Sequence, residues 1–194
     1  MFARTDRLLL RPGWAEDAPA LYAAIADEAI VRNLASAPWP YSMGDAEAFL
    51  ATERPAGSPT FLLFRRTRGA PQLVGAAGLG PRPDGSTELG YWIARPFWGL
   101  GYATEAAEAV MDIARNGLRL AKVSAGHFTD NPASGRVLEK IGFVATGQYA
   151  QRYSAGRGAS ATCKLFECHL AGSAAEADAA EAAMSFEKAF CMAA

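Results

Sequence analysis

The chain has 194 residues, 51% of them hydrophobic and 20% charged, with a formal net charge of -1, which suits one domain with a sizeable core rather than two. Lysines and arginines are dispersed without a basic stripe, which argues against sequence-independent binding to nucleic acid or to a membrane surface. No apolar run approaches the length of a membrane span and Met1 to Arg7 lacks the apolar core of a signal peptide, so the sequence reads as that of a cytoplasmic protein.

Leu8 to Pro12 reads as a strand ended by proline, followed by a helix from Ala15 to Ala26 whose apolar face carries Leu21, Tyr22 and Ile25. A short helical piece from Ile30 to Leu34 precedes the stiff aromatic segment Ala37-Pro38-Trp39-Pro40-Tyr41. Gly44-Asp45 then opens a helix with Phe49 and Leu50. Thr60 to Arg65 and Gln72 to Leu79 read as strands joined by a turn at Arg68 to Pro71. Pro81 to Gly85 turns the chain into a central strand, Glu88 to Ile93.

Leu89, Tyr91 and Ile93 alternate, whereas Ala106, Ala107, Val110, Ile113 and Ala114 recur every three to four residues, so the period changes from strand to helix across Gly99 and Gly101. Glycines at such a junction leave amide N–H groups outward at the positive end of a helix dipole, a cradle for a phosphate or pyrophosphate. That helix should stop near Gly117, a residue suited to the C′ position. Lys122 to Phe128 follows as a strand parallel to the central one by the right-handed crossover rule.

Asn131-Pro132 has the form of an N-cap and first helical position, with Ser134 in the first turn. Strands from Phe143 to Tyr153 and from Ala161 to Leu170 flank the turn at Gly156-Arg157-Gly158. Cys163, Cys168 and Cys191 are odd in number and lack C-x-x-C spacing, which indicates neither a disulfide framework nor a metal site. The first two read as packing residues of the last strand. From Ala171 to Ala194 the composition turns to alanine and acid, with a capping box at Ser173 to Glu176. A helix there would set Phe186 and Phe190 one turn apart, to dock on the domain or on a second copy in a homodimer.

Pro96-Phe97-Trp98-Gly99-Leu100-Gly101-Tyr102-Ala103-Thr104-Glu105-Ala106 resembles the pyrophosphate motif of the GNAT (GCN5-related) N-acetyltransferases, in the wording of the RimJ/RimL-like branch. The opening Thr5-Asp6-Arg7-Leu8 to Arg11-Pro12 and the run Asn131-Pro132-Ala133-Ser134 to Val137-Leu138-Glu139-Lys140-Ile141-Gly142-Phe143 resemble two further signatures of that branch. One departure is Pro96, which stands where the general motif has Gln or Arg and removes a side-chain donor.

The resemblance covers about residues 5–170 and implies the α/β GNAT acyl-CoA N-acyltransferase fold, with a mixed central sheet of about seven strands flanked by helices. The domain would be 5–170, with 171–194 an alanine-rich helical tail. It further implies acetyl-CoA as cosubstrate, held by Ile93, Trp98, Gly99, Leu100, Gly101, Tyr102, Ala103, Thr104 and Asn131, with the Ser134 hydroxyl near the thiol as acid. Trp39 and Tyr41 would lie beside the acceptor, an amine-bearing small molecule or a protein N-terminus.

Direct acyl transfer needs a base for the ammonium of the acceptor and a donor for the carbonyl oxygen, and no protein nucleophile. Glu88, at the start of the central strand, is the first candidate base, and Glu167 late in the last strand is the second. His127 ends an apolar strand, a place where a lone histidine is more often structural.

Two other classes compete. A non-catalytic acyl-CoA sensor would keep the glycine turn without the chemistry, against which Glu88 and Ser134 stand. A dinucleotide-binding enzyme would need a third glycine where Thr104 stands.

Overall fold

A computed structural model describes residues 1–55 and 57–170. The expectations for the tail, for Cys191 and for the pair Phe186 and Phe190 lie outside the described residues.

Eight strands form one sheet: β1 Ala3–Arg4, β2 Leu8–Arg11, β3 Thr60–Arg65, β4 Gln72–Pro81, β5 Thr87–Ile93, β6 Lys122–Phe128, β7 Val144–Ser154 and β8 Ala159–His169. Their order across the sheet is β1-β2-β3-β4-β5-β6-β8-β7. The count exceeds the expected one because Ala3 and Arg4 fold back on β2, Ala3 opposite Leu10 and Arg4 opposite Leu9. Every neighbouring pair is antiparallel except β5 and β6, which are parallel.

Among the described residues five α-helices accompany them: α1 Ala18–Ile25, entered by a 3₁₀ turn over Ala15–Asp17, α2 Glu28–Val31, α3 Met43–Ala51, α4 Tyr102–Asp112 and α5 Pro132–Lys140. The short second helix starts and ends earlier than the periodicity suggests, because the Asp27 carboxylate accepts the Ala29 N–H at 2.8 Å and caps it. Likewise α3 begins ahead of Gly44-Asp45, where Ser42 and Asp45 form a capping box. Past Asp112, α4 widens into a π turn over Ile113–Gly117, and the positive φ that ends it belongs to Arg119 at 53°, not to Gly117.

The strands bury a different set of residues on each face, as their two-residue period requires. On one face Phe61, Leu63, Leu89 and Ile93 pack with Tyr102, Ala106 and Val110 of α4 and Leu138 of α5. On the other, Leu62, Phe64 and Ala76 pack with Leu21 and Ile25 of α1, Ile30 and Val31 of α2 and Ala46 of α3. Cys163 and Cys168 are both buried on β8, in line with a packing role. The tip of the β7–β8 hairpin seats against α2 and the loop after it. Ser154 Oγ donates to the carbonyls of Arg32 and Leu34 at 3.1 and 2.8 Å, and Ala155 N–H to that of Ala35 at 2.9 Å.

Candidate active site

The parallel pair β5 and β6 meets at one position, Glu88 opposite Ser124, and then parts. Ala94 N–H donates to Val74 O on β4 at 2.8 Å, so by strand alternation the N–H and C=O groups of Tyr91 and Ile93 face the β6 side, where no ladder continues. A cavity of 740 Å³ fills this gap, bounded by Glu88 to Trp92 of β5, Gly126 to Phe128 of β6, Ser134 of α5 and the loop from Asn33 to Pro38.

At the far end of β5 lies the glycine turn. Gly99 and Gly101 have φ of 76° and 82°, conformations that an L side chain rarely takes. A Cβ on Gly99 would meet nothing within 4 Å. The first backbone bond of α4 is Glu105 N–H to Gly101 O at 3.1 Å, so the N–H groups of Gly99 through Thr104 precede the helical ladder and remain available. An open, glycine-walled set of donors at a helix N-terminus fits a pyrophosphate. Trp98 is half exposed, and its indole Nε1–H donates to Ile93 O at 2.6 Å, which fastens the turn to the end of β5.

The Asn131 side chain accepts the Ser134 N–H at 3.4 Å and caps α5, followed by Pro132 at N1. This places Ser134 Oγ on the cavity wall 3.0 Å from the Tyr91 hydroxyl, which also donates to Ser134 O at 3.0 Å. Burial pushes the Tyr91 phenol up to about 12. His127 lines the cavity too. Its Nδ1 lies 2.8 Å from Phe128 O and its Nε2 edge abuts Gly135, where a Cβ would come within 2.6 Å. One ring nitrogen is thus engaged by the backbone, and the ring packs against Gly135.

Glu88 sits on the opposite face of β5 from Tyr91, three residues along a strand of period two. Its carboxylate is bonded by Arg152 Nη1 and lies 3.4 Å from Arg82 Nη1. Burial pushes the carboxyl above its usual range, while the Arg82 guanidinium opposes that rise. Arg152 bonds the same carboxylate oxygen that Arg82 approaches, so the buried group is flanked by two guanidinium groups.

Of the two aromatic acceptor-loop residues, Tyr41 is buried and lines the cavity, whereas Trp39, 42% exposed, does not border it. Glu167 lies outside the cavity, on the surface between Lys122 and His169 at 3.4 Å from each. Tyr91, Arg82, Arg152 and Arg7 enter the site region without having been singled out. For Tyr91 the signal was present, since it lies in the same alternating strand as Glu88. Arg7 lies in the opening signature, which gave it no role at the site, and nothing local in the sequence marks Arg82 or Arg152.

Among the described residues no helix is long and apolar enough to cross a membrane, and no cluster of three or more His, Cys, Asp or Glu could hold a metal.

Residues 7–144 match the family model described as the acetyltransferase (GNAT) domain. The chain is 32% identical over 154 residues to the uncharacterized N-acetyltransferase YoaA of Bacillus subtilis (strain 168), a span of 76% of this chain and 85% of that protein. In fold it is similar to a GNAT-family acetyltransferase from Bacillus anthracis, with a TM-score of 0.73 at 22% identity, covering 87% of this chain and 98% of the other. It is likewise similar to RimL, a ribosomal L7/L12 alpha-N-protein acetyltransferase solved with coenzyme A, with a TM-score of 0.69 at 19% identity over 88% and 98% of the two chains.

Proposed function

The chain belongs to the GNAT acetyltransferase family and is an acetyl-CoA-dependent N-acyltransferase, and on that premise we propose a division of labour for its residues. The observation that carries the proposal is the placement of Glu88 and the Tyr91–Ser134 pair on opposite faces of β5, at the point where β5 and β6 part. A base and an acid thereby flank one gap from its two sides.

Acetyl-CoA supplies an acetyl thioester, activated for attack by an amine. The N–H groups of Gly99 to Thr104 hold the pyrophosphate, and the unpaired edge of β5, the N–H and C=O of Tyr91 and the N–H of Ile93, aligns an extended ligand as a further strand would. One of those N–H groups also donates to the carbonyl oxygen as it gains charge. Asn131 borders the cofactor while it caps α5.

An acceptor amine is largely protonated at neutral pH, and Glu88 takes its proton, directly or through one water, as the nitrogen attacks. The Ser134 hydroxyl, backed by Tyr91, gives a proton to the leaving sulfur. Arg82 and Arg152 oppose the effect of burial on Glu88 and fix its carboxylate in place. Most of the acceleration then comes from orientation and carbonyl polarisation.

The acceptor is a primary amine of a small molecule or a protein N-terminus, held near Tyr41 and the loop that also carries Trp39. The RimJ/RimL-like wording of the glycine turn and the fold likeness to RimL support the protein N-terminus. We assign the catalytic unit to 5–170 and the activity to the cytoplasm. The sensor reading has no observation in its favour.

Calorimetric titration of acetyl-CoA, CoA and NADH into the protein and into Gly101→Asp tests this reading. Gly101 has a positive φ, and the variant adds strain, bulk and negative charge at the turn. Binding of the two CoA species alone, lost in the variant, is expected, followed by thiol release that depends on a free amine. A folded protein that ignores acetyl-CoA would overturn the proposal.

A further inference from the structure

We propose that Arg7 is a positioning residue for cofactor binding: it pins the Leu100 carbonyl from behind the glycine turn and so aims the Gly101 N–H at the phosphates. The inference rests on the reading of that turn as the pyrophosphate site.

Arg7 lies in the β1–β2 turn, 93 residues before the carbonyl it reaches, and its Nη1 donates to Leu100 O at 2.9 Å. The C=O and N–H of one trans peptide unit point in opposite directions. A donor that fixes the Leu100 carbonyl on one side therefore fixes the Gly101 N–H toward the other. A cationic donor on that carbonyl also polarises the amide, which makes the N–H a stronger donor.

The peptide unit concerned has reason to need fixing. It joins Leu100 to Gly101, and Gly101, at φ of 82°, has little steric preference of its own to keep such a unit from turning over. Pro96 withholds the side-chain donor that the general motif would supply, which leaves more of the anion to the backbone N–H groups. Arg95, the nearest arginine in sequence, is turned toward Asp27 at 3.5 Å.

Arg7 is itself held on three sides. Its Nε bonds Glu105 Oε2 at 2.6 Å, its own N–H bonds Glu105 Oε1 at 2.9 Å, and its guanidinium lies 4.5 Å from the centre of the Tyr102 ring. Burial raises the Glu105 carboxyl, but bonds from the Thr5 hydroxyl and from Arg7 outweigh it and hold the group below its usual range. The Glu105 pair holds Arg7 at the first turn of α4, although a cation beside a helix N-terminus opposes the dipole. Next to an anion-binding turn it is favourable.

The test measures CoA affinity by calorimetry, and the Gly101 amide resonance by NMR, in the full chain and in Arg7→Met, Arg7→Lys and Glu105→Gln. We expect Arg7→Met to weaken CoA about tenfold, the scale of one charge-assisted hydrogen bond. Arg7→Lys recovers part of this, and Glu105→Gln weakens binding in the same direction by less. The Gly101 amide shifts in free Arg7→Met and responds less to CoA than in the parent. Unchanged affinity in Arg7→Met overturns the proposal, and so does tighter binding in Glu105→Gln, which would show Arg7 acting as a plain charge. If Arg7→Met does not fold, the other two variants decide. A parent protein that does not bind CoA would remove the site itself, a result distinct from binding that ignores Arg7.

Discussion

Arg152, on the outermost strand β7, crosses β8 and β6 to bond Glu88 on β5, 64 residues away in sequence. Its path runs over Gly126 of β6, where a Cβ would come within 3.3 Å of Arg152 Nη1 and 2.7 Å of Cys163 Sγ. The absent side chain at Gly126 leaves room for the Cys163 sulfur and the Arg152 guanidinium, and the pair gives Glu88 a fixed counter-charge inside the cavity.

Removal of that charge by Arg152→Met leaves burial to act on Glu88 with Arg82 alone against it, so the carboxyl rises further. The base must be ionised, so the acid limb of the kcat/KM profile moves to higher pH in the variant. Glu88→Gln abolishes the limb and lowers kcat by about 100-fold or more. An acid limb at the same pH in the parent and in Arg152→Met would show that Glu88 is not the group that limits the rate.

Ser134→Ala takes away the hydroxyl that faces Tyr91 at 3.0 Å, and kcat for thiol release is expected to fall by about ten- to a hundredfold. Tyr91→Phe should cost less, since the serine hydroxyl survives. Burial holds the Tyr91 phenol up to about 12, so the parent shows no loss of activity from this group up to about pH 10. Steady-state assays with a thiol reagent decide the point, and a full kcat in Ser134→Ala would exclude it as the acid.

Asp17 is a stability residue rather than a site residue. Arg11 grips its carboxylate at 2.7 and 2.8 Å and Trp14 N–H donates at 2.8 Å. Burial raises the carboxyl, yet the Arg11 and Trp14 bonds prevail and hold it below its usual range. A carboxyl depressed on folding stabilises fully above its unfolded value of about 3.9, and this contribution is lost as the pH falls through the folded value. Asp17→Asn should therefore cost about 3 kcal/mol at pH 7, because it leaves a guanidinium buried without its partner. Urea unfolding at pH 7 and pH 3 checks this, with the gap between variant and parent narrowing at the lower pH.

Much of the architecture was legible in the chain because it is local. The alternation in Leu89, Tyr91 and Ile93, the helical spacing from Ala106 onward and the cap formed by Asn131-Pro132 each act within a few residues, and each forms the element it indicates. The parallel pairing of β5 with β6 followed from chain connectivity. The second helix was less legible, since a single carboxylate cap at Asp27 outweighed the apolar pattern from Ile30 onward. The strand β1 is two residues long and carries no period at all.

The sequence by itself determined the family, the strand-turn-helix that presents the backbone donors of Gly99 to Thr104, and the position of Glu88 at the start of the central strand. These follow from periodicity, glycine conformation and motif spacing, all short-range. Only the tertiary structure decided that Arg152 meets Glu88, that Tyr91 meets Ser134, that Arg7 backs Leu100 and that Tyr41 rather than Trp39 borders the cavity. Those contacts depend on which strands neighbour one another and how far β5 and β6 part. No local pattern of residues encodes a distance across a sheet.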